Sequence, residues 1–114
     1  MKTLLNGFET NEATFLSTEK ITPCRAVALQ SSGKLDYPAD KGAFTGIATS
    51  CRDNVVSVVI RGYAVASFKN TLPHVGICKL SPDSMGYMEI DETNGKPYTV
   101  LSVDTQNDTF EFIL

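Results

Sequence analysis

From Ile21 onward the chain is a series of short apolar runs rich in β-branched residues, separated by clusters of Gly, Pro, Asn, Asp and Ser. Turn signals recurring roughly every 8–12 residues between such runs are the pattern of an all-β sandwich or barrel of short antiparallel strands. The first predicted strand is Arg25–Leu29, closed by the turn Ser31-Ser32-Gly33 and followed by a loop from Tyr37 to Gly42. Phe44–Thr49 and Val55–Ile60 come next, joined by a tight hairpin at Arg52-Asp53-Asn54, because Asp and Asn tolerate turn conformations. Val55–Ile60 is nearly all apolar and β-branched, which predicts a strand covered on both faces. Gly62–Phe68 sets Tyr63 and Val65 against Ala64 and Ala66 as a further strand. Beyond Pro73 the runs are Gly76–Leu80, Gly86–Ile90, Tyr98–Val103 and Thr109–Leu114, with turns at Ser81-Pro82-Asp83-Ser84, Asn94-Gly95 and Gln106-Asn107-Asp108. Asn94-Gly95 carries the strongest hairpin signal. Phe110, Phe112 and Leu114 alternate with Glu111 and Ile113, as a half-buried last strand requires.

Residues 1–20 lack this pattern. Their apolar positions, Leu4, Leu5, Phe8, Phe15 and Leu16, stand apart, so the segment reads as a short helix or an extended arm ahead of one β-domain over residues 21–114. The opening apolar stretch is broken by Asn6 and Gly7 and is too short for a signal peptide. No run approaches the 18 or so apolar residues of a membrane span, so a soluble, cytoplasmically made chain is expected. An offset of 54 positions lays Phe44-Thr45-Gly46-Ile47 on Tyr98-Thr99-Val100-Leu101, and Val56–Ile60 on Phe110–Leu114. It also lays Cys24-Arg25 on Cys78-Lys79. The halves then read as two equivalent β-units closing one barrel or sandwich.

Composition narrows the chemistry. The 114 residues suffice for one domain with its own core. A net charge of −3 without any run of Lys or Arg argues against a nucleic-acid partner. Cys24, Cys51 and Cys78 are widely spaced and contain no CxxC pair, so they read as free thiols packed as small hydrophobes. His74, the one histidine, would need Cys51 or Cys78 as nucleophile and an orienting acid such as Asp104 to form a hydrolytic triad. No signature surrounds any of them. Asp91, Thr93, Asn94 and Gly95 resemble part of a calcium loop, but the twelfth position is Ser102 where an EF-hand needs Glu. Gly42-Ala43-Phe44-Thr45-Gly46 lacks the Lys-Ser/Thr of a phosphate loop. These readings give no catalytic residue, no metal site and no cofactor. Tyr63, Tyr87 and Tyr98, if exposed in a row, would suit a carbohydrate-binding β-sandwich module of a virion fibre or baseplate.

One stretch follows a recurring order: Ile21-Thr22-Pro23-Cys24-Arg25-Ala26-Val27, then Gly33-Lys34-Leu35, then Gly46-Ile47-Ala48, then Val55–Ile60 with Gly62. Over residues 21–68 it resembles the capsid decoration, or cement, proteins of tailed bacteriophages. Their motifs run "I-x-P-G-x-A-V", "G-x-L", "G-I-A" and "V-x-V-x-x-x-G", and Cys24 stands where that first motif has glycine. The resemblance implies a compact β-barrel or sandwich, commonly a homotrimer, on the outer surface of a virion. There it clamps neighbouring subunits of the major capsid protein against internal pressure, a task without catalysis. It also implies that Leu4, Leu5, Phe8, Phe15 and Leu16 belong to a capsid-contacting arm that adds to a sheet edge. The same residues otherwise read as a frayed terminus or a first strand.

Overall fold

Alternating burial turns the apolar runs into ten strands. The computed structural model describes residues 10–114, and among these there is no helix. The first sheet contains β1 (Asn11–Leu16), β2 (Ala26–Leu29), β3 (Leu35–Asp36), β4 (Gly46–Arg52) and β5 (Val55–Arg61), in the order β1-β5-β4-β2-β3. The second contains β6 (Tyr63–Ser67), β7 (Gly76–Pro82), β8 (Met88–Ile90), β9 (Lys96–Asp104) and β10 (Thr109–Ile113), in the order β6-β10-β9-β7-β8. All named pairs are antiparallel. The all-β, sandwich-like architecture predicted from the sequence is present, and the two sheets do not close into a common barrel.

Adding five to each label of the first sheet reproduces the second, so the chain is two units of one topology. The likeness extends to detail. One parallel bridge pinches the sheet edges together in each unit, Ser17 with Leu35 and Phe68 with Met88. The β4–β5 ladder slips by one residue between Ala48 and Ser50, and the β9–β10 ladder slips at the matching place, opposite Glu111 and Phe112. The turns after β2 and within Pro82–Met88 both carry a left-handed glycine, Gly33 at φ 86° and Gly86 at φ 84°. Each donates its N–H three residues back, to Gln30 and Asp83.

The offset between units is not uniform. Phe15 corresponds to Ala66, Gly33 to Gly86, Ala48 to Val100 and Val56 to Phe110, offsets of 51, 53, 52 and 54. The single offset of 54 therefore holds only for β5 on β10, and Cys24 falls on Val75, not on Cys78. Small length differences account for this. The first hairpin turns in two residues, Asp53 and Asn54, both at positive φ as a type I′ turn needs, and the second uses Thr105–Asp108.

Corresponding positions build the cores. Val27, Leu35, Ala48, Val56 and Val58 pack with Ile21 and the half-buried Phe15 in the first unit. Cys78, Met88, Val100, Phe110 and Phe112 fill the matching places of the second core, with Leu80 packed among them. The cross-strand pair Phe15 and Val56 becomes Ala66 and Phe110, so bulk moves from one strand to its neighbour.

Several expectations are corrected. Of the readings open for residues 11–16, helix, arm or first strand, the strand is the one present. Val55 and Ile60 are exposed, so β5 is covered on both faces only near Val58 and Val59. Ser81 and Pro82 belong to β7, and the turn begins at Asp83. The short β3 was not foreseen. Asn94-Gly95 makes no hairpin, because β8 and β9 do not pair. The Asp91 carboxylate instead accepts the Thr93 and Asn94 N–H groups, and Gly95 N–H reaches Asp91 O.

Candidate functional site

Gly62 alone separates β5 from β6, so the two units abut directly. Their seam is organised by residues 24–26. Cys24 takes a left-handed backbone, φ 67°, which turns the following residues toward the second unit. Its carbonyl accepts Ser67 N–H at 2.7 Å, and Ala26 N–H donates to Gly86 O at 2.8 Å. The Arg25 guanidinium stacks 3.8 Å from the centre of the Tyr87 ring and donates to Met85 O (3.1 Å) and Tyr87 Oη (2.6 Å). Lys69 Nζ lies 5.1 Å from the same ring, a second cation–π contact.

Apolar packing completes the seam. Ala26, Ile47 and Val59 of the first unit join the core of the second. Phe44 meets Tyr98, ring centres 6.2 Å apart, and Tyr98 meets Phe112 edge-on at 5.6 Å. Lys41 adds a backbone bond to Pro82 O (2.7 Å) and a 3.9 Å ion pair with Glu89. At the Cys24 side of the seam opens a mostly apolar groove of about 400 Å³ between β1 and β6, lined by Thr10, Glu12, Cys24, Val59, Tyr63 and Val65. Burial pushes the Cys24 thiol up, with Arg25 opposing, so the groove presents a neutral thiol.

The residues singled out in the sequence are dispersed. Leu4, Leu5 and Phe8 lie outside the described residues. Phe15 sits half-buried on the first core, whereas Leu16, across from Val55, is exposed. The Cys78 thiol donates to the His74 backbone carbonyl (3.1 Å), and the His74 ring nitrogen Nδ1 lies 3.1 Å from Val75 O. Cys51 accepts Ile21 N–H in the other unit, and Asp104 binds Gln106 and Asn107 of its own turn. No triad is assembled among these groups. Among the described residues no three His, Cys, Asp or Glu side chains converge as metal ligands would, and all three cysteines are free.

The tyrosines do not form a row. Tyr98 is packed in the seam, Tyr87 carries Arg25, and Tyr37 accepts Thr22 N–H. Tyr63 donates to Glu111, which also accepts from Ser102. Burial, then that bond and the Glu111 charge, push the Tyr63 hydroxyl up to about 12.

Among the described residues Asp91 is the one buried carboxylate. The Asn94 N–H, with the Ser81 hydroxyl and the Thr93 N–H, holds its carboxyl below the usual range against the opposing effect of burial. A lowered native pKa means that the unfolded chain binds the proton more readily. The stability Asp91 contributes is therefore present above the unfolded-state value and lost as pH falls through the native one. Asp91→Asn will accordingly be less stable than the parent at pH 7. Urea melts at descending pH will show the two converging below about pH 4.

Arg25 with Tyr87, and Gly86 with Ala26, were not marked by sequence reasoning. Both pairs span about sixty positions, and only the duplicated topology would have hinted that one unit's turn meets the other's strand. No family model matches the chain, and no curated protein sequence matches it.

Proposed function

We propose that this chain is a virion structural protein that decorates the outer surface of a tailed-phage capsid, as a homotrimer that clamps neighbouring major capsid protein subunits. The observation that carries the reading is the backbone at Cys24. Its φ of 67° belongs to the region favouring glycine, and the resembled motif has glycine at that place. The departure from the motif is thus one of side chain, at a backbone position of the kind glycine favours. The strand-and-turn order over residues 21–68 corresponds to β2 through β5 of the first sheet and to β6 at the edge of the second. Among the described residues β1 is an edge strand of the first sheet, bridged to β3 only just beyond its end at Ser17, and it lies shortly after residues 1–9, which suits an arm that engages a partner's strands.

Co-sedimentation with mature capsids tests the reading, comparing the full chain with one lacking residues 1–9, which keeps β1. Saturable binding at a fixed ratio to capsid subunits is expected, weakened about tenfold by the truncation, or on the order of 1.4 kcal/mol. Absence of binding by the full chain to intact, expanded capsids would overturn it.

A further inference from the structure

The seam buries, in the first unit, a surface whose counterpart in the second unit is open. Pairing registers match Cys24 to Val75, Ala26 to Ile77, Ile47 to Thr99 and Val59 to Ile113. Ala26, Ile47 and Val59 are buried, yet Val75 is 65% and Ile77 67% exposed. The receiving face shows the same asymmetry. In the second unit Ser67, Pro82 and the Gly86 turn receive the first unit's backbone. Their counterparts are Leu16, 55% exposed, Leu29, 45% exposed, and the Gly33 turn, where an added Cβ would meet nothing within 4 Å. Large apolar side chains are thus exposed at places the internal seam covers.

We propose that copies of this chain associate head to tail by repeating their internal seam. Val75 and Ile77 of one copy pack against Leu16, Leu29 and the Gly33 turn of the next. Removal of these side chains from water drives the contact. The Arg25–Tyr87 latch is not repeated, since Gly76 and Lys34 stand in those places. The Lys41–Glu89 pair becomes Asn94 and Asp36, an amide and a carboxylate that can hydrogen-bond. Such an interface is heterologous and closes into a ring when its rotation permits. The inference deepens the homotrimer of the capsid reading by naming the faces that meet, and the two fail separately, because self-association is measured with no capsid present and capsid binding without reference to these faces.

Sedimentation velocity over rising concentration tests it with Ile77→Lys, which blocks one end, and Leu29→Lys, which blocks the other. Both positions are exposed, so both variants should keep the parent's melting temperature. The parent is expected to assemble beyond a monomer, each variant alone to associate at least about tenfold more weakly, and an equal mixture to form dimers that grow no further. A parent that stays monomeric, a variant that assembles as the parent does, or a mixture that stays monomeric would overturn the proposal.

Discussion

Replacing Gly86 by alanine will cost roughly 3–5 kcal/mol of folding stability, whereas the same change at Gly33 will cost about 1–2 kcal/mol. The two glycines hold the same turn at nearly the same φ, so the backbone penalty of a Cβ in the left-handed region is common to both. What differs is the space. A Cβ on Gly86 would stand 2.6 Å from Ala26 O and 2.9 Å from Arg25 Cβ, and backbone atoms cannot retreat as a flexible side chain can. The seam must open, weakening the Ala26–Gly86 hydrogen bond and lifting Tyr87 from Arg25. Urea unfolding of the two variants reads the difference directly. Equal losses at both positions would mean that the seam contributes little to stability.

The second large effect concerns the bulk exchanged between the units. Phe110→Val will cost roughly 2–4 kcal/mol, because it removes most of a fully buried ring from the second core. Ala66→Phe will cost about 1–3 kcal/mol by overpacking the same core. The double variant rebuilds in the second unit the arrangement that Phe15 and Val56 hold in the first. It should therefore lose less than the two single losses combined, with a coupling on the order of 1–2 kcal/mol. Thermal or urea unfolding of the four chains closes the cycle. Strict additivity would show that the matching of the two pairs carries no packing consequence.

Much of the strand content was legible because period-2 burial writes itself into the sequence. Val55–Ile60 and Thr109–Leu114 are mostly β-branched or aromatic, and Asp53-Asn54 is a turn pair whose side chains favour positive φ. The errors fell where a local signal met a tertiary competitor. Asn94-Gly95 suits a hairpin, but Asp91 claims the Asn94 N–H, and β8 and β9 are not neighbours. β3 is two residues long, too short to show any alternation. Residues 11–16 carry Asn, Glu and Thr, and they become a strand because β5 offers a free edge beside them.

The candidate site was far less legible. Leu16 could be singled out as apolar from the sequence, but not as exposed. Arg25 looks like any strand-entry arginine until Tyr87, sixty-two positions on, is folded beneath it.

By itself the sequence determined an all-β chain, most of its strands, its hairpin at Asp53-Asn54 and an imperfect internal echo. These depend on side-chain alternation and on residues that tolerate positive φ, which are local properties. Only the tertiary structure decided that the echo is one topology used twice, that a seam joins the copies, and that Val75 and Ile77 stand open where Cys24 is half-buried and Ala26 fully covered. Those facts rest on strand order and on contacts between residues fifty or more positions apart. No spacing within a single strand or turn encodes them.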